Sequence, residues 1–131
     1  MDELWTRWSP TSHIFYGYDV LSVSYDHEKI LITLEEEDGN NQICALFAQP
    51  IIAYRLTDET NRMRLTDNLI WQTKTYDYQH GSNFYIVENS SYIKSLAIQK
   101  PTFMHYAIHT ANTVIDIITE QTPTIKTSIE K

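Results

Sequence analysis

The run from Val20 to Ala48 is the part of the sequence that most constrains the fold. Its apolar residues alternate with other residues, which is the period of a β-strand with one buried face. The pattern predicts three antiparallel strands, at Val20 to Tyr25, Lys29 to Glu36 and Gln42 to Ala48. The residues between the strands, Asp26-His27 and Asp38-Gly39, are of the types that form tight turns. We therefore predict a three-stranded meander.

The same alternation predicts which side chains share the buried face of the meander. If both turns are two-residue loops, Val23 lies opposite Ile30 and Leu34 lies opposite Ile43. In that register the buried face contains Leu21, Val23, Tyr25, Ile30, Ile32, Leu34, Ile43, Ala45 and Phe47. The second face is mixed and contains Val20, Ser22, Ser24, Leu31, Thr33, Glu35, Cys44 and Leu46. A one-residue slip would expose the whole apolar set, so the pattern specifies the register.

The whole chain, 1–131, is predicted to be a single α+β domain. Its sheet is mainly antiparallel, has about six strands, and is strongly twisted or partly closed. The meander and a bent fourth strand occupy 20–56, after an aromatic N-terminal segment at 1–19. One packed helix is predicted over 83–96, with Ser82 as its N-cap. A hairpin at 103–119 and a polar tail at 124–131 complete the domain.

Composition narrows the classes of partner and site. The chain has 17 acidic and 10 basic residues, a net charge of -7, and one cysteine, Cys44. This charge argues against nucleic acid as a partner, because phosphate contacts need clustered Lys or Arg. A single cysteine forms no disulfide within the chain, and no run is long enough to span a bilayer. We predict a cytoplasmic protein with no cofactor, no metal and no membrane partner.

One polar cluster on the predicted C-terminal hairpin offers candidate chemistry. With Tyr106 opposite Ile117, Asp116 faces Ala107, and His105 and His109 lie diagonally on either side at roughly 7 Å. A carboxylate that orients an imidazole is used in general base catalysis, but the same geometry also describes a surface or half-buried ion pair. A shared metal is disfavoured, because residues four apart on a strand are separated by about 13 Å.

Acidic and aromatic residues are the candidates for contact with a protein. The predicted contact residues are Glu35, Glu36, Glu37, Asp38, Asp58, Glu59, Trp5 and Trp8. Acidic side chains at a hairpin tip can steer a basic partner, although they also keep a small domain in solution. Trp5 and Trp8 are three residues apart, which would place both on one face of a short helix. They are interpreted either as an anchor for a partner or as a terminal segment docked across the sheet.

Two segments carry a resemblance to a known group of proteins. They are Ala53-Tyr54-Arg55-Leu56-Thr57-Asp58-Glu59 and the hairpin from His105 to Ile118. Together they resemble small bacterial proteins of similar length, some of which are similar to immunity proteins of polymorphic toxin systems. The resemblance includes no catalytic motif. It implies a stoichiometric inhibitor that binds a cognate toxin and blocks it.

The sequence therefore favours a non-catalytic protein-binding module, most concretely an acidic immunity-type inhibitor of a basic toxin. The first alternative is a small-ligand-binding protein or minor enzyme that uses His105, His109 and Asp116 between the sheet and the helix. The second alternative is a subunit of a larger assembly.

Overall fold

The computed structural model describes residues 3–8, 18–36, 41–57, 84–110 and 113–127. Within these ranges the chain forms nine strands and one short helix. The strands are β1 (Leu4–Arg7), β2 (Tyr18–Tyr25), β3 (Lys29–Glu36), β4 (Gln42–Ala48), β5 (Ile51–Thr57), β6 (Phe84–Glu88), β7 (Met104–His109), β8 (Val114–Thr119) and β9 (Thr124–Thr127), and the helix is α1 (Ser91–Lys94). No helix in these ranges is long and apolar enough to cross a membrane.

The strands form two antiparallel sheets. The five-stranded sheet has the order β1-β6-β7-β8-β5, and the four-stranded sheet has the order β2-β3-β4-β9. Their inner faces meet in one apolar cluster, in which the rings of Phe47 on β4 and Tyr106 on β7 have centroids 5.8 Å apart. The described part of the chain is therefore a two-layer β structure.

Strands β3 and β4 supply the centre of this cluster, as their alternation predicts. Their inward side chains are at most 1% exposed, and they are Ile30, Ile32, Leu34, Ile43, Ala45 and Phe47. Leu34 lies opposite Ile43 and Ile32 lies opposite Ala45, which confirms the predicted register of this pair of strands. Each large apolar side chain buried in this way stabilises the fold by about 1.5–3 kcal/mol.

The pairing of β2 with β3 is shifted by two residues from the predicted pairing. The reason is that Asp26 belongs to the hydrogen bonds that close the turn and not to its loop. Its carboxylate accepts the backbone N–H groups of Glu28 and Lys29 at 2.7 and 3.0 Å. Its own N–H donates to the carbonyl of Lys29, so the two-residue loop is His27-Glu28. Tyr25 then lies opposite Ile30.

A bulge in β2 changes the predicted faces of this strand. The pairing shifts between Val20 and Ser22, so Leu21 is the extra residue and Val20 lies opposite Leu34 on the inner face. The prediction that Val20 belongs to the second face is wrong. Leu21, Val23 and Tyr25 were predicted to be buried but are 53, 36 and 56% exposed, since β2 is an edge strand.

The chain passes from one sheet to the other at Gln49-Pro50, a cis peptide. The backbone N–H of Gln49 donates to the carbonyl of Glu28, and its side-chain amide donates to the carbonyl of Asp26. The side-chain oxygen of Gln49 accepts the N–H of Ile51 at 2.7 Å. These bonds confirm the predicted bend before the fourth strand, and they fix β5 next to the turn between β2 and β3.

The predicted α+β class, with one sheet of about six strands and a packed helix at 83–96, is wrong, because the described strands form two sheets and the first part of the predicted helix is a strand. Residues Phe84–Glu88 form β6 between β1 and β7, which suits their aromatic and β-branched side chains. Asn89, with φ 53°, ends the strand, and Ser90 caps a helix of only four residues. Ser82, the predicted N-cap, lies outside the described residues. The described chain is nearly all β.

Two terminal segments are also strands. Leu4–Arg7 pairs with β6 as a strand. The prediction that Trp5 and Trp8 share one face of a short helix is therefore wrong. The predicted tail at 124–131 is wrong over Thr124–Thr127, which pairs with β4 and completes the second sheet. Pro123, just before this strand, is buried. Both segments form backbone hydrogen bonds with strands that are distant in the sequence. The local pattern of apolar residues therefore does not predict that they are strands.

Candidate functional site

The predicted polar cluster forms around Asp116 on β8. Asp116 lies opposite Ala107, as predicted, and its Oδ1 is 2.6 Å from Nε2 of His105. The side chains of His105 and Asp116 are 0 and 1% exposed, so the pair is buried rather than a surface or half-buried ion pair. His109, the third predicted member, lies on the other diagonal with its ring against Tyr85 at 6.5 Å. The structure therefore brings together two of the three predicted residues.

A third member of the cluster, Ser90, was missed by the sequence reasoning. Its Oγ lies 2.7 Å from Nδ1 of His105, and the same oxygen accepts the backbone N–H of Ile93 at 3.0 Å. The second bond is an N-cap interaction, which fixes the serine at the start of α1. The signal that could have found it is the serine that follows Asn89, a residue type that tolerates the left-handed backbone between a strand and a helix.

Arg55 connects the cluster to the edge strand β5. It pairs across the sheet with Asp116, and its Nε donates to Oδ2 at 3.0 Å. Its guanidinium carbon lies 4.2 Å from the centre of the Tyr92 ring, within the range of a cation–π contact. The Tyr92 ring in turn lies edge-on to His105 at 5.9 Å. One carboxylate thus joins β5, β7, β8 and, through Ser90 and Tyr92, α1.

A serine, a histidine and an aspartate bonded in this order also occur in catalytic triads. In this chain the serine and the aspartate each make a further hydrogen bond that holds the fold together. Each ring nitrogen of His105 has one hydrogen-bond partner, the Asp116 carboxylate at Nε2 and the hydroxyl of Ser90 at Nδ1. Ser90 is 4% exposed and also caps α1. A satisfied buried network of this kind fixes the relative positions of strands and helix.

Burial raises the pKa of Tyr92 above its ordinary value of 10.0, the Arg55 guanidinium opposes this, and the Asp116 carboxylate adds to it. The folded chain therefore retains a proton that the unfolded chain loses, so this tyrosine's contribution to stability is complete below pH 10 and disappears as pH rises through the folded pKa. We expect an ultraviolet titration of phenolate formation to lose a late-ionising component in the Tyr92→Phe variant. An unchanged titration curve in that variant would contradict the assignment.

A cavity of about 620 Å³ lies beside the network. Its wall includes Ser90 and His105 together with α1, the segment that follows it, and the adjoining ends of β6 and β7. The volume lies within the range of small-molecule pockets. Of the three residues predicted for a site between the sheet and the helix, His105 lines this cavity, whereas His109 and Asp116 do not.

On a different side of the molecule, β2 and β5 expose apolar side chains at inward-facing positions. Tyr25 lies opposite Ile30, and Tyr54 lies opposite Ile117, yet the two tyrosines are 56 and 45% exposed. Their rings stack on each other with centroids 5.4 Å apart and an interplanar angle of 25°. The neighbouring exposed apolar residues on these two edge strands are Leu21, Val23, Ile52 and Leu56. We call these six side chains the β2/β5 seam.

None of the residues predicted to contact a partner belongs to this seam. Glu35 and Glu36 end β3 and are half-buried, and Glu36 accepts from the side-chain amide of Asn41 at 3.2 Å. Glu37, Asp38, Asp58 and Glu59 lie outside the described residues. Within the residues that the structure describes, no group of three or more His, Cys, Asp or Glu could hold a metal ion.

The two predicted aromatic anchors belong to the packed interior. Trp5 is 1% exposed, contacts Tyr85 and His105, and donates from Nε1 to Glu3 at 2.9 Å. Trp8 is half-buried, with its ring 5.1 Å from that of Tyr106. The structure is nearer to the second interpretation, a docked terminal segment, but this segment joins the edge of the five-stranded sheet as β1 and does not lie across the sheet. The burial of Trp5 removes it from the surface that a partner can reach.

Comparison with protein-family models, with curated proteins and with solved structures finds no match to this chain. The resemblance to immunity proteins therefore stays a prediction that rests on the two segments quoted above.

Proposed function

We propose that this chain is a non-catalytic protein-binding module that holds a basic partner protein against the β2/β5 seam, as an immunity-type inhibitor of a toxin would. The observation that carries the proposal is the stacked, exposed pair Tyr25 and Tyr54. Tyrosine is enriched at the energetic centres of protein interfaces, because it combines a large apolar surface with a hydrogen-bonding group.

The apolar character of the seam supports contact with another protein. Val23 and Leu56 lie opposite the core residues Ile32 and Ile115, so they occupy inward-facing positions on their strands. Both are nevertheless exposed, at 36 and 54%. Contiguous exposed apolar side chains on a folded domain typically mark an interaction site.

The charge around the seam supports a basic partner. Residues 18–36, which form β2, β3 and their turn, carry five carboxylates, Asp19, Asp26, Glu28, Glu35 and Glu36, against the single cation of Lys29. The backbone N–H groups of Glu28 and Lys29 hold the pKa of Asp26 below its usual range, so this carboxylate is ionised at neutral pH. A negative rim around an apolar centre attracts a positively charged protein and raises its association rate.

Each of the two edge strands of the seam contains a bulge. The pairing shifts between Val20 and Ser22 in β2, and between Ile51 and Ala53 in β5. Bulges distort an edge strand and make it a poor template for the addition of another strand. The seam is therefore suited to a partner that docks on side chains rather than on strand backbone.

The proposal is tested with the basic proteins encoded next to this gene in its source genome, by calorimetry with purified components. For the protein that binds, Tyr25→Ser and Tyr54→Ser should each weaken affinity by about 2 kcal/mol, or about thirtyfold. Ile98→Ser is the matched control, because Ile98 is an apolar side chain that is 69% exposed outside the seam. Its affinity should equal that of the parent chain.

A charge variant provides a second measurement on the same pair of proteins. Glu36→Lys with Glu37→Lys should slow association and weaken its dependence on salt. The melting temperature is measured alongside, because Glu36 is half-buried and accepts a hydrogen bond from Asn41. The proposal fails if none of the neighbouring basic proteins binds. The seam is excluded as the contact surface if a partner binds and both tyrosine variants retain full affinity.

A further inference from the structure

We infer that the cavity beside α1 is a binding site for a small apolar carboxylate. The cavity measures about 620 Å³ and lies between the ends of β6 and β7 and the segment from Ser90 to Phe103. This inference does not depend on the proposed function, because the cavity and the β2/β5 seam share no residue.

The body of the site is apolar. Ile86, Ile93, Phe103 and Met104 contribute to its lining. Phe103 is buried, whereas Met104 is 36% exposed, so the apolar surface runs from the protein interior to the opening. An apolar chain or ring of a ligand would replace water on these side chains, which is the main source of affinity in pockets of this size.

Two cations line the same cavity. They are Lys94, at the end of α1, and Lys100, in the segment that follows. Among the described residues, no carboxylate oxygen lies within 4.0 Å of either ammonium group, whereas Lys29 and Arg55 both have such partners. Glu88 is the single acidic residue in the lining, so the cavity has a net charge of +1 in a chain whose net charge is -7.

Two other polar side chains of the wall, Ser90 and His105, already have hydrogen-bond partners. The hydroxyl of Ser90 bonds to His105 and to the N–H of Ile93, and the remaining nitrogen of His105 bonds to Asp116. Recognition of a ligand's polar end therefore belongs to the two lysines. An ammonium group pairs most favourably with an anion, and a carboxylate on an apolar body satisfies both parts of the site.

The wall that holds the lysines is fixed by its own hydrogen bonds. The side-chain amide of Gln99 donates to the carbonyls of Lys94 and Leu96, at 2.9 and 3.2 Å. The N–H of Phe103 donates to the carbonyl of Lys100 at 3.1 Å. A preformed wall reduces the cost of ordering the site when a ligand binds.

The test compares two probes that have the same nine-carbon alkyl chain and opposite charge, decanoate and nonyltrimethylammonium. An acidic protein attracts the cation non-specifically, so tighter binding of decanoate by calorimetry is the diagnostic result. We expect Lys94→Gln with Lys100→Gln to weaken decanoate binding roughly fivefold or more, without weakening the cationic probe. Lys126→Gln, at an exposed position on β9, is the matched control and should bind decanoate as the parent does.

Methyl NMR spectra locate the binding. Decanoate should shift the signals of Ile93 and Met104, which line the cavity, and leave those of Val23 and Leu56 in the seam unchanged. Since both lysines are exposed, the double variant should keep the parent's circular dichroism spectrum. The inference is overturned if the cationic probe binds more tightly, if the double variant retains full affinity for decanoate, or if the shifts lie outside the cavity.

Discussion

Replacing Asp116 with alanine should lower the free energy of unfolding by about 3 kcal/mol. The substitution leaves the buried Nε2 of His105 without its acceptor and removes the carboxylate that Arg55 contacts. The histidine carries most of the cost, because its side chain is 0% exposed whereas that of Arg55 is 46% exposed and can be hydrated. Urea unfolding measures the change through the midpoint, with an unchanged slope as the sign that folding stays two-state.

Two further variants separate the contacts of this carboxylate. Arg55→Gln should cost about 1 kcal/mol or less, since its ion pair with Asp116 is partly solvated. His105→Ala combined with Asp116→Ala should cost less than the sum of the single variants, because each single change already breaks the same buried bond. Strict additivity of the two costs would contradict the network as described.

The register of β7 and β8 could be predicted from the sequence, because each strand has one face with large apolar residues, Tyr106 and Ile108 on β7 and Ile115 and Ile117 on β8. Tyr106 lies opposite Ile117 as predicted, and Ile108 lies opposite Ile115 in the same register. The burial of the opposite face could not be predicted in the same way. A histidine and an aspartate on a strand can be exposed to solvent or buried. Which of the two holds depends on the residues that pack over them, and these come from distant parts of the chain.

Ser90 illustrates that second limit. It lies 15 positions before His105, and the two meet only because Phe84–Glu88 pairs with β7 and the chain then turns at Asn89. The residues of β6 were predicted to be helical, since a short apolar run fits either period. With that segment assigned to a helix, neither the position of Ser90 nor the cavity beside it could follow.

The exposed seam depends on long-range structure as well. Alternation places Val23 and Tyr25 on the inner face, and the structure agrees about the face. Their exposure follows from the position of β2 at the edge of its sheet, and from the crossing at Gln49-Pro50 that makes β5 the edge of the other sheet. Edge positions are a property of strand order, which a single sequence leaves open.

Trp5 lies at a position where the two interpretations of the N-terminal segment predict different results. Its indole is 1% exposed between the rings of Tyr85 and His105, so Trp5→Ala should destabilise the fold by about 3–5 kcal/mol. Trp8→Ala should cost clearly less, because Trp8 is half-buried. Thermal unfolding followed by circular dichroism measures both. If Trp5→Ala instead kept the parent's melting temperature and abolished binding of the basic partner, the indole would be a contact residue, and its packed position in β1 would be wrong.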